Sequence, residues 1–395
     1  MLSEPNTHHF FRQVVAMSHN IPCTITSETF ARGETHCKHL IFGRVVNRSR
    51  CRWVLLLYLS LPGWQTDWAR ADEPTPQAAS HVEVAPAGMV EFTITPQEPQ
   101  VPERFRMTDH KFPFSTKYER LSGDIQVTKV TFPSPVTTEI EENNTVHGLY
   151  FQPAGKGPFP GVVVLHIAGG DFILSQTVAN ALARHGVGAL AIKMPYYAER
   201  RRPGHPRRML SRNVDEAIEG MTQAVLDIRQ SVAWVKDRPE IDDIDLGVTG
   251  ISLGGLMSAI SASAEPRIRK VGIQLAGGDL GRNIWDGNNR ETAGFREEWL
   301  ATGGTRESFI EAMSPMEPTR YGHLLKGRKV LMLAARKDEI FPEASTLALW
   351  KSIGEEPELI WLEDAGHYTS LLYIMRETER LSKFMKQPLP MQTGK

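Results

Sequence analysis

The stretch Gly250-Ile251-Ser252-Leu253-Gly254-Gly255 follows the largely apolar run Ile244-Asp245-Leu246-Gly247-Val248-Thr249 and leads straight into Leu256-Met257-Ser258-Ala259-Ile260. This pattern predicts a strand, a sharp turn and a helix. Such a turn holds its central serine in a strained backbone conformation, and the glycines two residues to either side let strand and helix cross closely. The hydroxyl is then exposed at a helix N-terminus, where unpaired N–H groups favour developing negative charge. Ser252 is thereby placed to attack a carbonyl carbon, and the Leu253 N–H to receive the resulting oxyanion. The bland alternative is a glycine-rich loop that merely contains a serine. The two are separated by whether a base and an acid stand at neighbouring strand ends.

Upstream of the turn, Gly161-Val162-Val163-Val164-Leu165 and Val187-Gly188-Ala189-Leu190-Ala191-Ile192 are continuous apolar runs on either side of the helical stretch from Thr177 to Arg184. Downstream come Lys270 to Leu275, Lys329 to Leu333 and Glu358 to Leu362, and a long helix is expected from about Val214 to Asp237. Runs of this kind, apolar on both faces, belong to a parallel sheet covered by helices. Ile125 to Phe132 and Val146 to Gln152 alternate instead, as an antiparallel start to the sheet. The expected fold class is α/β, a doubly wound and mostly parallel sheet. Between Gly277 and about Leu325, a long connection with Trp285, Phe295, Trp299, Phe309, Met313 and Met316 breaks the alternation. It is read as a helical lid insertion over about 278–325, with an ordinary packing helix as the alternative.

An acyl-transfer serine needs a base and a carboxylate to orient it. Asp338 follows the strand ending near Ala334, and His367 follows the last strand, giving the chain order Ser, Asp, His. Asp338 as an N-cap and His367 as a helix cap are the bland readings, and Glu339, Asp364 and Asp279 are alternative acids. The second oxyanion donor is expected in the turn Leu165-His166-Ile167-Ala168-Gly169-Gly170-Asp171, at the Ala168 N–H or, next, that of Ile167. His166 reads as a structural ring bonded to a neighbouring loop, and Asp171 has no evident role. Tyr197 and Arg200, after the second parallel strand, are candidate contacts for a substrate carboxylate or sugar, as is Trp285 in the insertion; a solvated loop is the alternative for the first two.

Together the elbow, the His166 to Gly170 turn, Asp338 and His367 resemble the α/β-hydrolase superfamily, in its dienelactone-hydrolase and acetyl-xylan-esterase-like branch, over about residues 125–386. The resemblance implies a serine esterase with Ser252 as nucleophile, His367 as base and then acid, Asp338 as orienting acid, and Leu253 with Ala168 as the oxyanion hole. Dienelactone hydrolases carry cysteine where Ser252 stands, and their usual His-Gly pair is His166-Ile167 here. Serine peptidases of this fold usually have an aromatic residue after the serine and a propeller domain ahead of it, whereas Leu253 follows Ser252. A thioesterase, an acyltransferase and a non-catalytic binding protein are the other readings. A hydrolytic serine triad needs no cofactor, and no metal, nucleotide or redox motif occurs. The expected partner is a small-molecule or carbohydrate ester.

Of the 395 residues 41% are hydrophobic and 23% charged, enough for a full core. The net charge of -1 leaves no basic footprint for nucleic acid. Cys23, Cys37 and Cys51 all lie near the start, at spacings that fit no zinc site. Arg48, Arg50 and Arg52, the apolar run Trp53 to Leu61 and Ala69-Arg70-Ala71 read as a signal peptide, so residues 1–71 are expected to be a targeting segment and the protein exported. The apolar run is too short for a stable membrane anchor. The residues before it are long for such a segment, and a true start at Val45 or Val46 is expected. Residues 72–104, rich in Pro, Gln and Ala, read as a flexible linker or extended arm, and 105–390 as the α/β domain.

Overall fold

A computed structural model describes residues 87–170, 172–288 and 290–389. The expected signal peptide and its cleavage site lie outside the described residues. The strands are β1 Ala87–Phe92, β2 His110–Ser122, β3 Ile125–Pro133, β4 Thr145–Gln152, β5 Phe159–Leu165, β6 Gly188–Lys193, β7 Ile241–Ile251, β8 Ile268–Gln274, β9 Lys329–Ala335 and β10 Glu358–Leu362. They form one sheet in the order β1-β2-β3-β4-β6-β5-β7-β8-β9-β10. From β1 to β6 neighbours pair antiparallel, and from β6 to β10 they pair parallel.

Both faces of the parallel half are covered, which is why its strands are apolar throughout. In β5, Val163 and Leu165 face the long helix Val214–Lys236 and the helix Leu253–Ala264, while Val162 and Val164 face the helices Phe172–Arg184 and Leu371–Lys386. Asn213 caps the long helix by accepting the Glu216 N–H at 3.1 Å. The chain leaves β5 for one face of the sheet and leaves the adjacent β7 for the other. The carboxyl ends of these two strands therefore border a crevice, the place where open α/β sheets bind ligands.

Two features depart from the sequence expectation. The second half of the expected linker, residues 87–104, instead carries edge strand β1, with Val90 and Phe92 buried, and two 3-10 turns. There Glu98 is buried, accepts the Met107 N–H at 2.8 Å and pairs with Arg229 at 2.6 Å. A Pro- and Gln-rich composition hides a segment fixed by one ion pair 131 residues away in sequence. Strand β2 was also not expected; its burial pattern is mostly exposed, so it lacks the apolar alternation that marks a strand.

Candidate active site

Ser252 sits between β7 and the helix Leu253–Ala264 with φ 56° and ψ -116°, a conformation costly for a residue with a side chain. Two close approaches hold it there. A Cβ on Gly250 would lie 2.5 Å from the Gly254 carbonyl carbon, and one on Gly254 would lie 2.6 Å from the Leu165 oxygen. The Ser252 N–H donates to the Gln274 carbonyl at 2.8 Å, tying the turn to β8. Leu253 opens the helix, so its N–H belongs to the first turn, which has no helical acceptor.

The expected base, His367, and the expected acid, Asp338, arrive on the loops after β10 and β9. His367 Nε2 lies 2.9 Å from Ser252 Oγ, and its Nδ1 lies 2.8 Å and 3.1 Å from the two oxygens of Asp338. A carboxylate only accepts, so Nδ1 carries the proton and Nε2 is left to accept from the serine hydroxyl. Asp338 is itself oriented, since its Oδ1 also accepts the N–H groups of Ile340 at 2.8 Å and Phe341 at 2.7 Å. Both side chains are buried, where a fixed dipole acts most strongly.

The alternative acids fall elsewhere. Asp279, in a left-handed conformation at φ 55°, precedes the short helix Leu280–Asp286 without a side-chain hydrogen bond to it. Asp364 pairs with Lys337 at the surface, and Glu339 accepts the backbone N–H of His367 at 2.9 Å.

Across the crevice, the turn after β5 is held by two side chains. His166 Nε2 accepts the Met194 N–H at 3.1 Å, which leaves Nδ1–H to donate to the Ile167 carbonyl at 2.8 Å. The same carbonyl accepts the Gly170 N–H at 3.0 Å. With its carbonyl bonded on one side, the planar Ile167–Ala168 peptide turns the Ala168 N–H the other way. Burial pushes the His166 ring down to about pH 4 for its titration, so it stays neutral. His166 is thus the structural ring the sequence suggests, and Ile167 contributes its carbonyl.

Of the three expected substrate contacts, Arg200 needs correction, and Tyr197 and Trp285 are half-buried. Tyr197 lies under this turn, donating its hydroxyl to the Ala168 carbonyl at 2.7 Å and packing edge-on against His166 with ring centres 4.6 Å apart. Arg200 is fully buried, paired with Asp227 at 2.7 Å and bonded to the carbonyls of Asn143 and Lys193, so no substrate reaches it. Trp285 is half-buried against Phe309, with ring centres 5.3 Å apart inside the insertion. Nothing in the sequence distinguishes an arginine that neutralises a buried aspartate from one that forks a ligand.

The insertion folds as helices Leu280–Asp286, Arg290–Ala301 and Arg306–Met313 followed by short turns. Phe309, Met313 and Met316 are core residues, so it packs on the domain, and its first turn also shapes a cleft. This cleft, of about 460 Å³, is lined by Asn283, Asp286, Gly287, Glu339, Pro342 and Tyr368 among others. Two of these residues, Glu339 and Tyr368, directly follow Asp338 and His367 in the chain.

Residues 102–274 match the family described as alpha/beta hydrolase domain containing 18, and residues 219–392 match the prolyl oligopeptidase family. No curated protein matches the sequence. Among solved structures, acetyl xylan esterase 1 from Thermoanaerobacterium sp. JW/SL YS485 is similar at 20% identity and TM-score 0.53, covering 68% of this chain and 87% of its own. The acetyl xylan esterase from Paenibacillus sp. R4 has 20% identity and TM-score 0.54, covering 68% and 88%. A hypothetical protein from Pseudomonas aeruginosa has 17% identity and TM-score 0.51, covering 69% and 96%. The chain carries an α/β-hydrolase domain, as these matches and the sheet order agree.

Proposed function

We propose that this α/β-hydrolase-fold chain is an exported serine hydrolase of carboxylic esters. The reading rests on one observation: Ser252, His367 and Asp338 form a continuous hydrogen-bonded chain at a strained elbow, opposite a turn whose peptide is oriented. As Ser252 Oγ attacks the ester carbonyl carbon, His367 Nε2 takes its proton, and Asp338 stabilises the imidazolium. The oxyanion of the tetrahedral intermediate takes the N–H groups of Leu253 and Ala168. Collapse breaks the C–O bond to the alcohol, which leaves with the proton from Nε2, and the acyl group stays on Oγ. Water then gives a proton to Nε2 and attacks the acyl carbon, releasing the acid and restoring Ser252. Since the leaving oxygen is protonated by Nε2, the alcohol lies on the His367 side, where the cleft beside Tyr368 stands. A small-molecule or carbohydrate ester fits this arrangement.

The test is hydrolysis of p-nitrophenyl esters from acetate to octanoate by the full chain beside Ser252→Ala. A p-nitrophenol burst in the wild type that disappears in the variant is expected; turnover that persists in the variant removes Ser252 as nucleophile. The match to the prolyl oligopeptidase family supports a second reading, attack on a peptide carbonyl. Against it, the described residues ahead of β5 are an antiparallel extension of the same sheet. Peptide p-nitroanilides cleaved faster than the esters would favour the peptidase. Export is read out by N-terminal sequencing of the protein recovered outside the cytoplasm, and a chain that keeps Met1 overturns it.

A further inference from the structure

We infer that Glu339 is the positioning residue of the base, its carboxylate holding the main chain of His367 while the neighbouring Asp338 holds the ring. The inference rests on the reading of His367 as the base of Ser252.

Two consecutive carboxylates of one loop reach the same residue of another. Asp338 takes Nδ1, and Glu339 Oε2 takes the His367 N–H at 2.9 Å. These are different constraints. A carboxylate bonded to Nδ1 fixes the rotation of the imidazole, but it can follow the ring if the backbone beneath it shifts. The distance from Nε2 to Ser252 Oγ, 2.9 Å, also depends on where the His367 backbone lies. That backbone belongs to a loop of turns, with no ladder of its own to hold it. The Lys337 N–H donates to the Ala365 carbonyl at 2.9 Å and Lys337 pairs with Asp364 at 3.1 Å, but the Glu339 contact is the one made to the main chain of His367 itself. An N–H bonded to a charged oxygen is among the stronger neutral-to-ion contacts.

The packing at Gly366 supports the assignment. A Cβ there would lie 2.7 Å from Glu339 Oε2 and 3.0 Å from the Lys337 oxygen. The carboxylate thus occupies the space a side chain would need. The loop before the base is shaped around Glu339. Because displacement of a reacting group by about 1 Å costs on the order of 100-fold in rate, a contact that prevents a fraction of that shift is worth about tenfold.

The experiment compares the full chain with Glu339→Gln, Glu339→Ala, Glu339→Asp and Gly366→Ala. It measures the rate at which a fluorophosphonate labels Ser252, kcat and KM for p-nitrophenyl acetate, and the thermal midpoint. Glu339→Ala and Glu339→Asp are expected to label Ser252 about tenfold more slowly and to show kcat lowered by the same factor, whereas Glu339→Gln, which keeps an acceptor at the same reach, restores labelling to within about twofold of wild type. Gly366→Ala is expected to be slow alone and to add little to Glu339→Ala, because the two changes break one contact. If Glu339→Ala does not fold, Glu339→Asp carries the same comparison. Wild-type labelling in Glu339→Asp overturns the inference, as does a Gln variant as slow as the shortened one. A chain that labels at Ser252 but hydrolyses no ester would remove the ester reading alone, and Glu339 would be judged on labelling. A wild-type chain that never labels would remove both.

Discussion

Two aspartates pair with basic side chains in buried positions, and they differ in how the pair ends. Asp227 and Arg200, both 0% exposed, form a closed system. The arginine donates to the carbonyls of Asn143 and Lys193 and forms an ion pair with Asp227 at 2.7 Å, and Ser134 Oγ donates to Asp227 at 2.6 Å. Asp338 and His367 form an open one, since the imidazole passes its last nitrogen to a serine hydroxyl that still faces the crevice. A closed pair can only hold structure together, and an open pair can move a proton.

The sharpest way to break that contrast is to damage both aspartates in parallel. Asp338→Asn keeps the shape but reverses the tautomer preference of His367, so kcat for p-nitrophenyl acetate is expected to fall about 10³- to 10⁴-fold. Its urea-unfolding free energy should stay within about 1 kcal/mol of wild type. Asp227→Ala strands the Arg200 charge in the interior, and a loss of about 3–5 kcal/mol is expected with kcat of the folded fraction nearly intact. A rate defect in Asp227→Ala as large as that of Asp338→Asn would erase the distinction between closed and open pairs.

His166 stands between the two regions, with a buried ring whose bonds reach both the β6 loop at Met194 and the turn opposite Ser252. Its titration, pushed down to about 4 by burial from an ordinary value of 6.5, makes a smaller test. Between those values the unfolded chain binds a proton that the folded chain refuses, so stability rises with pH across this window and is lost as pH falls through it. The loss from pH 6.5 to pH 4 amounts to about 3 kcal/mol for this group. Urea unfolding at a series of pH values should therefore show a wild-type curve steeper than that of His166→Gln over this window. Parallel curves would mean that the ring is not held neutral.

How much of this was legible beforehand follows from the range of the interactions. The elbow at Ser252 is a local device, written in consecutive residues, and the strand ends carrying Asp338 and His367 are marked by apolar runs. What stayed hidden depends on partners far away in the chain: Arg200 on Asp227, Glu98 on Arg229, and Glu339 on His367. Each is a charged residue in a polar loop, which looks solvated until the fold supplies its counterpart. The same cause makes the edge strand β1 read as linker, for its two buried apolar residues are a weak signal without the ion pair that anchors the turn after it.

Tyr197 gives the finest test of the open region, because sequence and structure assign it different work. A substrate contact would make its hydroxyl a binding group, whereas the observed bond to the Ala168 carbonyl at 2.7 Å makes it a brace for the turn proposed to receive the oxyanion. The ring also packs against that turn, where a Cβ on Gly170 would come within 2.8 Å of it, and this packing survives in Tyr197→Phe. The variant therefore loses one hydrogen bond and no shape. Freed of that bond, the Ala168 carbonyl gains room to move and Ala168 is held less firmly, and a poorly aimed Ala168 N–H chiefly weakens the transition state. We expect kcat for p-nitrophenyl acetate to fall about five- to tenfold with KM unchanged, and stability to drop by about 1 kcal/mol. A raised KM with kcat preserved would restore the substrate contact and move Tyr197 from the frame of the site into its binding surface.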